Sequence, residues 1–406
     1  MKHLTLSLLL LLCACNIAAK TRKALFLIVD GIPADVIERL HVPAIYNIAA
    51  NGGYARAHVG GDVGEYTQTP TISAVGYTTV LTGTWFNKHN VAGNSNIHEN
   101  YNYWTLFRLA KEQPKPYKTA IYSSWTDNRT ILLGEGKPET NHLKIDYVFD
   151  GLDLDTINYP RKPKELQVFD YDQVVSAKAA EGIRRDAPDL SWVYLWYPDD
   201  AAHLTGNGKY FDTYVLKAGE QIQKIWEAIQ YREQHFNEEW MMVVTTDHGR
   251  TNSGYGHGGQ SCRERTTWIA TNRPVASWFK SGRLAAVDIA PSISRFMGFT
   301  VPRDNRFEWD GTPFIGPVDV TDFHVMPYDK EAWLTWTCTN PSAKATIYLA
   351  TDNSFKTTGR QTWQKVAEVP AKSGRYTVDL SRYPASKIYK FVIDTPNGSL
   401  NCWLVK

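Results

Sequence analysis

The chain has 406 residues, 43% of them hydrophobic, enough to bury a large core and to sort into one large domain plus a small one. Its 44 Lys and Arg stand against 42 Asp and Glu, for a formal charge of +2. So even a balance, with no basic stripe, excludes bulk electrostatic recognition of a nucleic acid polymer or an anionic membrane.

Met1-Lys2-His3 followed by Leu4 to Leu12 has the basic start and short apolar core of a secretory signal, too short to span a bilayer. Residues 1–19 therefore read as a signal peptide, and the protein as exported to the periplasm or cell surface. Leu12-Cys13-Ala14-Cys15 is similar to a bacterial lipobox with Cys15 as the lipidated residue, although Cys13 inside it is atypical. Cleavage near Ala18 or Ala19 releases a soluble protein instead, so a lipid anchor at Cys15 is the one membrane attachment the sequence offers.

Next come short apolar runs. Ala24 to Val29 ends in Asp30; Thr119 to Tyr122 leads towards Arg129; Trp192 to Trp196 precedes Asp199 and His203; Val243 to Thr246 precedes Asp247-His248-Gly249, with His257 close behind. Runs of this length, rich in Val, Ile, Leu and aromatics, read as buried strands of a mixed, mostly parallel sheet flanked by helices. In such a sheet the carboxyl ends of the strands converge on one crevice, which brings distant residues together.

Asp30, Asp199, Asp247, His203, His248 and His257 make three carboxylates and three imidazoles, a mixed N/O set that suits zinc and is too rich in imidazole for magnesium or calcium. Six ligands exceed what one catalytic zinc takes, so two Zn2+ with three ligands each is the natural division. A pair about 4 Å apart can hold both the attacking and the leaving oxygen of a displacement at phosphorus. Taken singly each residue has a plainer role, a helix cap or turn for an Asp and a loop position for His257. The adjacent acid and imidazole of Asp247-His248 weigh against that, because burying both at a strand end is costly without a partner.

With these segments the chain from Lys23 to about Gly316 resembles the alkaline phosphatase superfamily, and within it the type I phosphodiesterase/nucleotide pyrophosphatase group. The resemblance implies that Asp30, Asp247 and His248 hold one zinc and Asp199, His203 and His257 the other. Pro70-Thr71-Ile72-Ser73-Ala74-Val75-Gly76-Tyr77-Thr78-Thr79-Val80-Leu81-Thr82-Gly83 matches the family's nucleophile segment and puts Ser73 at the reacting position, facing a metal. Diesterases of the group commonly carry Thr there, whereas Ser followed by Ala is more like the alkaline phosphatases. Residues 74–81 can form a helix that sets Ser73 at a positive helix end; an ordinary capping serine is the alternative.

Within Val91-Ala92-Gly93-Asn94, Asn94 falls where the family places a donor to a non-bridging phosphoryl oxygen; a turn Asn is the alternative. Arg129, if it reaches the crevice, would pair with the extra charge of a phosphomonoester. Trp85, Phe86 and Trp125 are candidates for stacking on a nucleobase or aryl leaving group.

The implied activity is zinc-dependent hydrolysis of a small phosphodiester or nucleotide through a phosphoserine. A phosphomonoesterase on the same scaffold is the first alternative, and a non-catalytic surface or glycan-binding protein the second. A sulfatase fits less well, since Ala74, Val75, Gly76 and Tyr77 after Ser73 include neither the Pro nor the Arg of a formylglycine motif.

Val287 to Ile293 resembles the closing helix of the superfamily and Asp310-Gly311-Thr312-Pro313 its final turn, giving a catalytic domain over 20–317. From 318 to 406 the texture changes to alternating stretches, Ala332 to Thr337, Ala345 to Ala350, Arg375 to Leu380, Lys387 to Ile393 and Leu400 to Leu404, with a turn at Pro396-Asn397-Gly398. Period-two alternation of this kind reads as an antiparallel β-sandwich. Beyond the signal the chain keeps Cys262, Cys338 and Cys402, which allow at most one bridge; Cys338 with Cys402 is the expected pair, two free thiols on neighbouring strands the alternative, and Cys262 a structural thiol.

Overall fold

A computed structural model describes residues 19–406. Cys15 and all but the last residue of the 1–19 segment lie outside the described residues. No helix among the described residues is long and apolar enough to cross a membrane.

Seven strands build the main sheet: β1 (Thr21–Val29), β2 (Gly53–His58), β3 (Thr119–Tyr122), β4 (Tyr147–Phe149), β5 (Leu190–Leu195), β6 (Glu238–Thr245) and β7 (Thr266–Thr271). Their order is β2-β7-β6-β1-β5-β3-β4. The neighbours from β6 through β4 run parallel, and β7 and β2 are antiparallel additions at one edge. Residues 24–29 of β1 are fully buried because both faces are covered. Phe26 and Ile28 join Trp192 and Val243 against the helix Ser73–Thr82. Leu25, Leu27 and Val29 join Val193 and Val244 under the long helices Leu166–Arg185 and Lys209–His235.

Register explains how the site assembles. Val29 of β1 pairs with Leu195 of β5, and Ile28 pairs with Thr245 of β6. Three neighbouring strands therefore run out at one level, and Asp30, the segment leading to Asp199, and Asp247 leave from adjacent carboxyl ends.

The C-terminal region forms two antiparallel sheets. One joins β8 (Val320–Tyr328), β9 (Glu331–Cys338) and β12 (Arg375–Asp379); the other joins β10 (Lys344–Ala350), β11 (Gln364–Pro370), β13 (Ile388–Thr395) and β14 (Gly398–Val405). Leu334, Ile347 and Phe391 are among the residues of their common core. The pairing of Thr395 with Gly398 places the β13–β14 turn at Pro396-Asn397.

The expected Cys338–Cys402 bridge does not form. Cys338 ends β9 in one sheet and Cys402 lies within β14 of the other, on strands that are not neighbours, and both are free thiols, as is exposed Cys262. Apolar packing of the shared core holds this region without a crosslink.

Candidate metal centre

Each carboxylate of the first cluster is held by one oxygen and leaves the other bare. Asp30 is 1% exposed; its Oδ2 accepts hydrogen bonds from the hydroxyls of Tyr77 and Tyr194, and its Oδ1 is buried with no hydrogen-bond partner. Asp247 accepts the Gly31 amide on Oδ1 at 3.1 Å, while its Oδ2 is likewise buried and unpartnered. Both bare oxygens face His248 Nε2, at 3.4 Å from Asp30 and 3.3 Å from Asp247. Nδ1 of His248 donates to the Gly249 carbonyl at 2.9 Å, which fixes the tautomer and leaves Nε2 as a lone pair.

Two buried acids and a bare imidazole facing one another without a cation are electrostatically unfavourable. Burial, then the charges of Asp247 and Asp199, push the Asp30 carboxyl well above its usual range; burial pushes Asp247 up to about 7 and His248 well below its ordinary value. A divalent cation removes that frustration and satisfies the orphaned oxygens.

The second cluster lies beside the first. Asp199 and His203 are four apart on the helix Tyr197–Thr205, so they share a face, with His203 Nε2 3.1 Å from Asp199 Oδ2. His203 Nε2 also stands 3.1 Å from His257 Nε2, and His257 Nδ1 donates to the Thr71 carbonyl at 2.9 Å, leaving Nε2 free to ligate. His248 and His257 stack at 3.7 Å between ring centroids. Donor atoms of Asp30, Asp247 and His248 lie within 4.8 Å of one another, as do those of Asp199, His248 and His257. His248 therefore stands between the clusters rather than wholly in one, and His203 completes the second from its more exposed side.

Ser73 opens the helix Ser73–Thr82 as its first residue, not its cap, and its Oγ is 3.4 Å from His248 Nε2. Gly76, one turn on, permits this approach: a Cβ there would meet Asp247 Cβ at 2.8 Å. The second exposed amide of the helix, Ala74 N–H, is taken by Asn94 Oδ1 at 2.9 Å, which puts the Asn94 side chain at the nucleophile end and frees its NH2 group as a donor.

Other candidates end elsewhere. Arg129 does not offer a free guanidinium: it is bound by Asp150 through Nε at 2.5 Å and Nη2 at 3.3 Å, and by Glu135 through Nη1 at 2.5 Å. Two local carboxylates have consumed its charge. Trp85 lines a separate cavity of about 470 Å³, its ring stacked on His58, and half-buried Phe86 packs edge-on against His89. Trp125 is half-buried with its ring 6.3 Å from Tyr77, next to the hydroxyl that holds Asp30.

Sequence reasoning passed over three residues. Tyr77 and Tyr194 fix Asp30, and they look like core aromatics in a chain with 22 tyrosines. Fully buried Arg250 binds Asp199 Oδ1 and donates to the carbonyls of Gly254 and Tyr255, two residues before His257. Although burial pushes Asp199 up, its hydrogen bond from His203 and the charge of Arg250 bring it below the usual carboxylate range. The adjacency of Arg250 to Asp247-His248-Gly249 was the available signal.

Orphaned acids at strand ends, lone-pair imidazoles and a serine at a helix start together define a metal-dependent hydrolase of the alkaline-phosphatase-like fold. Residues 24–292 match the family described as type I phosphodiesterase/nucleotide pyrophosphatase, and the chain belongs to it; it is a phosphoryl-transfer hydrolase. Among solved structures, a 2-O GAG sulfatase aligns over 89% of this chain and 86% of its own with 11% identity and a TM-score of 0.53, a likeness of fold. An inactive form of murine ectonucleotide pyrophosphatase/phosphodiesterase 5 in complex with AMP aligns over 69% and 96% at 12% identity and a TM-score of 0.47. Phosphonoacetate hydrolase from Sinorhizobium meliloti aligns over 57% of each chain at 17% identity and a TM-score of 0.40. No curated protein matches.

Proposed function

We propose that the protein is a zinc-dependent phosphodiesterase/nucleotide pyrophosphatase that works through a phosphoserine at Ser73. The observation that carries this reading is the position of Ser73 Oγ at a helix start, 3.4 Å from His248 Nε2 and beside two orphaned carboxylate oxygens. Two divalent ions, zinc by the N/O donor set, would be held by Asp30, Asp247 and His248 with Ser73, and by Asp199, His203 and His257, and would supply Lewis-acid stabilisation of the phosphoryl oxygens and acidify bound hydroxyls.

The chain's own groups do the rest. The Ser73 hydroxyl gives its proton to solvent as Oγ attacks phosphorus, forming the Ser–O–P bond while the P–O bond to the ester oxygen breaks on the opposite side and that oxygen takes a proton from water. Asn94 Nδ2 donates to a non-bridging oxygen in the crowded transition state. Water then enters from the side of Asp199, His203 and His257 and cleaves the phosphoserine. A neutral amide donor suits the single charge of a diester.

The sequestered Arg129 argues against the monoesterase alternative, since its guanidinium is already bound by Glu135 and Asp150 and does not match a second phosphoryl charge. A shared fold with a sulfatase adds no sulfatase chemistry, for the residues after Ser73 lack the Pro and Arg of a formylglycine motif. Within the same reading, residues 1–19 are a signal peptide, with export to the periplasm or cell surface followed by either lipidation at Cys15 or soluble release, 20–317 the catalytic unit and 318–406 an accessory sandwich. The test compares hydrolysis of bis(p-nitrophenyl) phosphate with p-nitrophenyl phosphate. A higher kcat/KM for the diester is expected, and a monoester preference overturns the assignment.

A further inference from the structure

We infer that the C-terminal sheets position the catalytic loop that carries Asn94. The inference rests on the role given to Asn94 above and assigns the C-terminal region a part in catalysis.

Asn94 lies in an exposed loop, and Ala92, Ser95, Asn96 and His98 around it are exposed too, while buried Val91 and half-buried Ile97 anchor its flanks in the core. Its tip is tied at one point, Asn94 Oδ1 to Ala74 N–H at 2.9 Å. Its base closes through Asn100 N–H to the His89 carbonyl at 2.9 Å and Asn90 Nδ2 to the His98 carbonyl at 3.0 Å. A loop whose tip makes one hydrogen bond and whose apolar anchors stand three residues to either side of Asn94 depends on what grips its base.

The grip comes from the C-terminal region. The side-chain amides of Asn100 and Asn102 both donate to the Lys356 carbonyl, at 2.8 and 3.1 Å, at the short helix Ser354–Thr358 between β10 and β11. Lys356 returns the contact, its Nζ donating to the Asn87 carbonyl at 2.8 Å, and Phe355 packs edge-on against Tyr103 at 5.0 Å. On the other side of the loop, fully buried Lys88 donates to Asp310 Oδ1 at 2.6 Å and to Asn401 Oδ1 of β14 at 3.0 Å.

A third contact reaches the segment that runs into Ser73. Tyr66 stacks flat on Trp403 of β14 at 5.4 Å, and its hydroxyl accepts the Trp403 amide at 2.9 Å. Both stretches flanking the nucleophile helix, 62–69 before it and 87–102 after it, thus lean on the same accessory region. Across the same junction the fully buried Lys390 of β13 binds Glu308, and such a pair resists sliding, since separating it leaves an unpaired charge. Asn100, Asn102 and Lys356 are positioning residues: they touch no substrate and act through Asn94.

The experiment is a double-mutant cycle in the full-length protein, with bis(p-nitrophenyl) phosphate as substrate and metal content and melting temperature measured on each preparation. Asn100→Ala with Asn102→Ala is expected to lower kcat/KM by about 10- to 100-fold with metal content unchanged. In the Asn94→Ala background the same pair is expected to cost less than about 2-fold, because the residue being positioned is gone. Lys356→Met, which keeps the backbone carbonyl that Asn100 and Asn102 bind and removes the Nζ bond to Asn87, should lower kcat/KM in the same direction by a smaller factor and Lys356→Arg should restore most of it, which also serves if the Asn pair fails to fold. Unchanged kcat/KM, or an equal loss with and without Asn94, overturns the inference while leaving the proposed function standing. A silent Asn94→Ala removes the role of Asn94 itself and this inference with it.

Discussion

The two clusters of the candidate metal centre use the same residue types under opposite electrostatics. Asp30, Asp247 and His248 are buried together, and neither carboxylate is ion-paired with a Lys or Arg. Asp199, His203 and His257 have one carboxylate already bound to the buried guanidinium of Arg250, and the His203 side chain is 42% exposed. The first half is a charge deficit waiting for a cation, whereas the second is self-neutralised and open to water. Ion affinity should follow: tight and slow to exchange at the first, weaker and labile at the second.

The largest effect that would break this comparison comes from the first half. Asp247→Asn should abolish tight metal binding and lower kcat/KM by at least about 10³-fold, read by metal analysis and diester kinetics. Retention of a tightly held ion would erase the distinction. Next, His203→Ala should keep one ion per chain and lose the other, with activity down about 10²-fold. Brief chelation of the wild type should likewise leave one ion in place, and simultaneous loss of both would mean the halves are equivalent.

Smaller effects sharpen the account. Arg250→Met removes the brace joining Asp199 to the His257 loop, and should weaken the second ion by about 10-fold without disturbing the first. Tyr77→Phe strips one of two donors from Asp30 Oδ2 and should affect only the first ion, by about 10-fold in affinity. Metal titrations of the two variants, run side by side, separate these outcomes.

All six ligand candidates were legible because each follows a buried strand, and β5, β1 and β6 are neighbours whose last residues align. Ser73 was legible from its segment, although the reason for Gly76, the close passage of Asp247, exists only in three dimensions. What stayed hidden depends on partners chosen by folding. Arg129 lost its anion-binding role to Glu135 and to Asp150, the latter 21 residues away. Tyr77 and Tyr194 became donors to Asp30 because the helix carrying Tyr77 packs on the same sheet face as Tyr194 of β5, the strand beside β1. The strand β11 was missed because it is an edge strand with a largely exposed, weakly alternating sequence. The Cys338–Cys402 pairing failed because alternation reveals strands but not which of them are neighbours.

The most direct test of the central claim follows Ser73. Wild type and Ser73→Ala are stripped with chelator, reloaded with zinc and assayed on bis(p-nitrophenyl) phosphate, with zinc content measured on the same samples. The account predicts two zinc ions per chain in the wild type, nearly the same content in Ser73→Ala, and a fall in kcat of at least about 10³-fold in the variant. Full activity in Ser73→Ala, or a wild type that hydrolyses the diester with no metal bound, would contradict it.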